Sequence, residues 1–122
     1  RPWNVTLLFW ELTPPEKRPF VAIPREGSVH NRGYAVDLTL YDLKTGKEVT
    51  MPSAFDEMNE KAFPSYSGGT EISRKHRDLL RSVMESKGFS VHPNEWWHFN
   101  FAGWETLPVM NISFNEIPPA NP

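Results

Sequence analysis

The sequence predicts a single domain that contains both helices and strands, because two helical patterns and several strand patterns share one chain of 122 residues. Residues 2–12 are predicted as a helix that is buried on several sides, since Pro2 suits the first helical position and Pro14 and Pro15 stop it. Residues 71–87 are predicted as a second helix, ended by Gly88. Its apolar residues recur at helical spacing and are expected to face the core: Ile72, Leu79, Leu80, Val83 and Met84.

Several strands are predicted from alternating or β-rich runs. Residues 34–41 alternate, which puts Asp37 on the polar face. Residues 89–92 and 96–101 follow the second helix, and His98 shares a face with Trp96 and Asn100 in the last strand. A turn at residues 44–47 leads to a hairpin partner at residues 48–51, and residues 52–69 form a long loop over a site. The tail, residues 117–122, is expected to be extended or frayed.

Composition excludes several classes of protein. A net charge of −2 gives no case for nucleic acid or an anionic membrane as a partner. The basic residues of the second helix are interspersed with acidic ones, which is typical of a solvated face, and His76 and His92 are also interpreted as solvated. No apolar run approaches the roughly 20 residues that span a bilayer. Because there are no cysteines, a bound metal would need His, Asp or Glu ligands.

Two histidines and a carboxylate are candidate metal ligands. His30 lies in the loop before the first strand, Asp37 in that strand, and His98 in the last strand. Two imidazoles and one carboxylate leave the fourth tetrahedral position of a catalytic zinc free. Glu95 follows Pro93 and Asn94, so we expect it to remain in the turn, where it could act as a general base. A single His is more often a surface or core residue, so the pattern alone leaves both interpretations open.

A longer set of motifs resembles one known family. The motifs are Ser28-x-His30-x-x-Gly33-x-Ala35-x-Asp37, then Phe55-Asp56, then residues 80–85 running to Gly88-Phe89, and finally Glu95-Trp96-Trp97-His98. Their order and spacing over residues 28–99 are similar to those of the D-alanyl-D-alanine dipeptidases of the vancomycin-resistance type. The Glu-Trp-Trp-His and Phe-Asp elements distinguish this family from related carboxypeptidases and endolysins.

The resemblance implies a zinc enzyme with a small α+β fold, in which helices flank a central, mainly antiparallel sheet, as in the DD-peptidase and hedgehog-like folds. One Zn²⁺ per site is implied, in a cleft on one face of that sheet. By position, His30, Asp37 and His98 match the zinc ligands and Glu95 the general base. The remaining matches are implied substrate contacts: Asp56 with the ammonium group, Ser28 near the carboxylate, Trp96 lining the pocket, and Arg1 stabilising the oxyanion. The implied substrate is a small dipeptide, and the implied location is cytoplasmic, with an exported enzyme left open.

Arg1-Pro2 resembles the end of the family's Tyr-Arg-Pro motif, and family members have a sizeable segment before it. We therefore expect the chain to be the C-terminal part of a zinc dipeptidase. Its partner is expected to be an N-terminal fragment of the same enzyme or a second copy that exchanges elements. The alternatives are a D,D-carboxypeptidase or peptidoglycan endopeptidase, and a zinc-binding module without catalysis.

Overall fold

A computed structural model describes residues 1–118, and these divide into two units. The first unit combines Arg1–Tyr34 with Gly103–Pro122, and the second is the continuous segment Ala35–Ala102. Helix α1 (Trp3–Leu12) belongs to the first unit, and helix α2 (Glu71–Glu85) to the second. The second unit also holds three strands, so the predicted α+β class is confirmed.

The strands form one antiparallel sheet in the order β1-β3-β2. They are β1 (Ala35–Asp37), β2 (Phe89–His92) and β3 (Glu95–Phe101). Helix α2 packs on β2 and β3. Burial of apolar side chains between this helix and the sheet is the main stabilising contribution expected for such a unit. The core comprises Met51, Ala62, Leu80, Trp96, Trp97 and Phe99.

Helix α2 begins at the predicted residue, Glu71. The Thr70 side chain accepts a hydrogen bond from the Ser73 backbone N–H at its start. The helix ends two residues earlier than predicted, and Gly88 follows with a φ of 84°. The expectation that all its apolar residues face the core is wrong. Leu80 is buried, but Ile72, Leu79 and Val83 are about half exposed, because the core-facing stripe passes through Ser73, Arg77 and Leu80 instead.

Helix α1 is not buried on several sides, contrary to its apolar sequence. Thr6 is its one buried residue, and Leu8, Phe9 and Leu12 are exposed. Its N-terminus has no local side-chain cap. Instead, the Trp3 N–H donates to the Met110 carbonyl over 3.1 Å, and the Asn4 N–H donates to Asn111 Oδ1 over 3.0 Å. Residues near the end of the chain therefore satisfy the first turn of α1.

The predicted strand at residues 34–41 is shorter than its alternation indicates. After Asp37 only the Leu38 N–H continues the bonding to β3, at the Trp97 carbonyl. The chain then turns back on itself, and the predicted hairpin is reduced to an isolated bridge between Tyr41 and Glu48. Residues 52–69 form the predicted long loop, interrupted by the short 3-10 helix Glu60–Ala62. Most of the predicted extended tail, residues 119–122, lies outside the described residues.

Candidate metal and catalytic site

Asp37 and His98 are brought together by the sheet register. They are directly opposite each other in the antiparallel pair β1–β3, so their side chains leave the same face of the sheet at short distance. The His98 Nδ1 atom lies 3.1 Å from Asp37 Oδ1, and both side chains are largely buried. The strand pairing itself therefore places a carboxylate against an imidazole, as their polar-face positions predicted.

The other ring nitrogen of His98 is held by Asn100. The Nε2–H group donates to Asn100 Oδ1 over 2.7 Å. Burial disfavours the charged ring, but the hydrogen bonds to Asp37 and Asn100 and the charge of Glu95 outweigh it and raise the pKa of His98 above its usual value. With Nε2 used as a donor, Nδ1 is the nitrogen that remains for a cation. The sequence analysis did not predict this role for Asn100. The signal for it was that Asn100 follows His98 by two residues, so both side chains lie on one face of the strand.

Glu95 reaches the same side of the ring as Asp37. Its Oε2 lies 3.4 Å from His98 Nδ1. The expectation that Glu95 remains in the turn is wrong, because it is the first residue of β3. Residues three apart in a regular strand point to opposite faces, but the pairing with β2 is irregular here. Val91 pairs with Phe99 and the next residue, His92, pairs with Glu95. This irregularity re-aims the side chain.

His30 lies in the first unit, in the 3-10 helix Val29–Arg32. The Ser28 side chain caps this helix by accepting a hydrogen bond from the His30 backbone N–H over 3.3 Å. Asn31 is 1% exposed, and its Oδ1 accepts from the Ser28 N–H over 2.7 Å. Gly33 ends the helix with a φ of 73°, in the left-handed region that favours glycine. Ser28 thus positions the His30 backbone, a role that the sequence had not suggested.

Arg1 is tied to the His30 loop through its backbone. Its nitrogen donates to the His30 carbonyl over 3.1 Å, and its carbonyl accepts from Asn31 Nδ2 over 2.9 Å. The guanidinium carbon lies 4.8 Å from the centre of the Phe9 ring, a cation–π distance. The first residue and the His30 loop therefore form one hydrogen-bonded cluster within the first unit.

Asp56 occupies an exposed turn of the second unit. Its φ of 58° makes it the one non-glycine residue with positive φ among residues 1–118. Asp is among the residues that tolerate this conformation, and such backbones often occur at functional sites. The neighbouring Phe55 ring packs against Trp97 at 5.3 Å and Trp96 at 6.4 Å between ring centres. These ring contacts fix the Asp56 turn against β3.

Trp96 is 1% exposed, and its indole N–H donates to Ser53 Oγ over 2.9 Å. In this structure it packs in the core of the second unit. A pocket-lining role for Trp96 stays a prediction, and its contact with Ser53 ties the long loop to β3.

His92 differs from its interpretation as a solvated residue. It is half-buried, and its ring lies edge-on to that of His98 with 5.1 Å between ring centres. Burial, followed by the nearby charge of His98, lowers the pKa of His92 to about 4. His92 is therefore a neutral packing neighbour of His98 at ordinary pH.

Three of the described residues are of types that can hold a metal ion: His30 in the first unit, and Asp37 and His98 in the second. Two properties of these side chains show whether they suit a metal ion. Two imidazoles and one carboxylate are the ligand types that zinc prefers, with a coordination position left over. The carboxylates of Asp37 and Glu95 also stabilise a positive charge at His98 Nδ1, where a cation would replace the proton. The donor set therefore fits a divalent metal.

Comparison with known proteins agrees with the motifs. Residues 6–116 match the Peptidase_M15 family, described as D-ala-D-ala dipeptidase. The chain belongs to this family. A protein from Escherichia coli named D-alanyl-D-alanine dipeptidase is 31% identical over 115 residues, which cover 94% of this chain and 58% of the relative. The protein of the same name from Enterococcus faecium is 46% identical over 72 residues, covering 59% of this chain and 36% of the relative.

Peptidase_M15 membership agrees with the observed fold, a small α+β structure with a three-stranded antiparallel sheet. The chain spans between about a third and about three fifths of the length of the curated relatives it matches. Within residues 1–118, no helix has the length and apolar character required to cross a bilayer.

Proposed function

We propose that this chain carries the metal centre and general base of a zinc dipeptidase that hydrolyses D-Ala-D-Ala. His30, Asp37 and His98 would hold one Zn²⁺, and Glu95 would act as the base. The observation that carries the proposal is the cluster at His98 Nδ1, where Asp37 and Glu95 both lie within 3.4 Å. Two ionisable carboxylates around one ring nitrogen suit a cation site with a neighbouring base.

The chemistry supplied by a bound zinc would be polarisation of the scissile carbonyl and a lowered pKa of a water molecule. The chain's own residues then move the proton. The Glu95 carboxylate accepts a proton as water attacks the carbonyl carbon, and it returns that proton to the leaving amine nitrogen when the C–N bond breaks. The Arg1 guanidinium would stabilise the negative charge that develops on the carbonyl oxygen.

The proposal for substrate recognition is based on the same motifs. Asp56 would bind the free ammonium group, Ser28 would lie near the carboxylate, and Trp96 would line the pocket. The left-handed backbone of Asp56 supports a functional role for this turn. The capping bond of Ser28 also gives it a structural role, so its loss would disturb His30 as well as the substrate.

The test of this function uses the intact purified protein and two histidine variants. We expect one zinc per chain, and release of D-Ala from D-Ala-D-Ala that a chelator abolishes. His98→Ala should lose both metal and activity. His76→Ala is the matched control, because His76 lies on α2 with its Nδ1 2.9 Å from the Thr50 carbonyl oxygen. It should retain both.

The remaining outcomes separate the alternatives. Cleavage of longer peptides but not of the dipeptide would indicate a D,D-carboxypeptidase or endopeptidase. Bound zinc with no hydrolysis of either substrate would indicate a metal-binding module. Equal zinc content in wild type and His98→Ala would contradict the metal site itself.

The exposed apolar residues of the two helices support a partner. Leu8, Phe9 and Leu12 are exposed on α1, and Ile72, Leu79 and Val83 on α2. Exposed apolar residues that recur along one helix are typical of surfaces that another polypeptide covers. We propose that an N-terminal piece of the same enzyme, or a second copy that exchanges elements, covers them.

Sedimentation of the purified chain measures this association. We expect a complex or dimer for the wild type, and dissociation in a Leu79→Glu variant, because a buried charge at an apolar contact is unfavourable. Lys75→Glu, on the same helix and exposed, is the control. A stable monomer in which Leu79→Glu changes nothing would show that these stripes need no cover.

A further inference from the structure

A small cavity in the first unit lies beside two of the proposed functional residues. It has a volume of about 100 Å³, and Arg1 and His30 form part of its lining. Another part is an apolar wall from the C-terminal segment, made of Met110, Ile112 and Ile117. None of these three residues belongs to the motifs of the zinc site.

The position of the apolar wall is fixed by backbone hydrogen bonds. The Met110 N–H donates to the Asn31 carbonyl over 2.9 Å, and the Met110 carbonyl accepts from the Trp3 N–H over 3.1 Å. Met110 is therefore held on one side by the His30 loop and on the other by the start of α1. A Cβ atom placed on Gly33 would lie 3.8 Å from Met110 Cε. The absence of a side chain at Gly33 leaves room beside the Met110 methyl group.

Ile117 is returned to the cavity by a capped turn. The Ser113 side chain and Glu116 form a capping box around the 3-10 helix Phe114–Glu116, with the Ser113 N–H donating to Glu116 Oε2 over 2.8 Å. Ile112 and Ile117, before and after this turn, are 45% and 54% exposed. The wall is thus ordered by hydrogen bonds yet open to a ligand.

We propose that Met110, Ile112 and Ile117 form a specificity wall that binds a small aliphatic side chain of the substrate and limits its size. The inference rests on the proposed dipeptidase function and deepens it. A water molecule occupies roughly 30 Å³ of liquid, and a dry apolar cavity of roughly 150 Å³ is known to admit benzene. A cavity of about 100 Å³ therefore has room for a methyl or small branched alkyl group.

The specificity wall is tested with two opposite changes at Ile112, whose exposure allows substitution without loss of the fold. In the intact enzyme, kcat/KM is measured for D-Ala-D-Ala, D-Ala-D-Leu and D-Leu-D-Ala. Ile112→Ala should raise the ratio of one Leu-containing dipeptide to D-Ala-D-Ala by about 10-fold or more, because one or two methylenes in a pocket change discrimination by about that much. Ile112→Phe should fill the cavity and lower kcat/KM for D-Ala-D-Ala by a similar factor.

Ile23→Ala is the matched control, since Ile23 is in the same unit, is 44% exposed and does not line the cavity. It should leave all ratios unchanged. The Leu-containing dipeptide that responds identifies which end of the substrate the wall contacts. The inference is overturned if the wild type cleaves D-Ala-D-Ala, neither ratio changes in Ile112→Ala, and kcat/KM for D-Ala-D-Ala is unchanged in Ile112→Phe. The cavity would then be only a packing void.

Calorimetric titration with D-Ala-D-Ala separates this failure from failure of the proposed function. If the wild type does not cleave the dipeptide, dissociation constants for wild type and Ile112→Phe still report on the wall. Weaker binding to Ile112→Phe would support the inference, and equal or absent binding to both would overturn it.

Discussion

Glu95→Gln is expected to leave one zinc per chain and to lower kcat on D-Ala-D-Ala by about 10²–10⁴-fold. The carboxylate lies 3.4 Å from His98 Nδ1, close enough to serve either as a base beside the metal or as a ligand. The amide of Gln keeps the size of the side chain but cannot accept the proton at neutral pH. Turnover therefore falls in both cases, but the zinc content falls only if Glu95 is a ligand.

Zinc stoichiometry decides between these two roles of Glu95. An intact zinc content with lost turnover assigns Glu95 as the base, and loss of zinc reassigns it as a ligand. Glu85→Gln is the control, because Glu85 pairs with Arg81 on the exposed side of α2. Such a surface pair contributes little to stability. Wild-type turnover in Glu95→Gln would contradict both roles.

A second large effect is expected from the substrate's amine. N-acetylation of D-Ala-D-Ala should lower kcat/KM by about 30- to several-thousand-fold, because loss of one member of a desolvated charge pair costs about 2–5 kcal/mol. Asp56, the proposed partner of the ammonium group, is exposed in this structure. Water screens an exposed charge, so we expect the smaller end of the range, about 30-fold, unless the bound substrate covers it.

Asp56→Asn is the informative variant for this prediction. With a φ of 58° at this position, Ala would add the strain of a left-handed backbone, roughly 1–2 kcal/mol, whereas Asn tolerates it. In Asp56→Asn the free dipeptide should fall toward the rate of its N-acetylated form. Equal kcat/KM for both substrates in the wild type would favour a carboxypeptidase over a dipeptidase.

The sequence predicts which face of a strand a site residue occupies better than it predicts which residues contact one another. The alternation of β1 puts Asp37 on a polar face, and the run around His98 does the same, so their common face was predictable. The register that places Asp37 opposite His98 depends on pairing between distant segments, so neither segment alone predicts it. The irregular pairing that brings Glu95 to the same ring has the same non-local origin.

The burial of individual residues on a helix is also poorly predicted by the sequence pattern. Ile72, Leu79 and Val83 satisfy helical spacing as well as Leu80 does, yet Leu80 alone of these is buried. Hydrophobic periodicity identifies an apolar side of a helix but not what covers it. The Asn100 contact with His98 and the wall at Met110 were missed for a related reason, since single polar or apolar residues carry no motif.

The cap that Asn111 supplies to α1 has a consequence for the order of folding. The bond joins Asn4 to a residue 107 positions away, and Trp3 and Asn31 bond to Met110 in the same way. Closing so long a loop costs conformational entropy before the contacts at its ends can stabilise the structure. The unit Ala35–Ala102 is continuous in sequence, so its contacts can form during synthesis. The bonds that Trp3, Asn4 and Asn31 make to Met110 and Asn111 must instead wait until these two distant residues have left the ribosome.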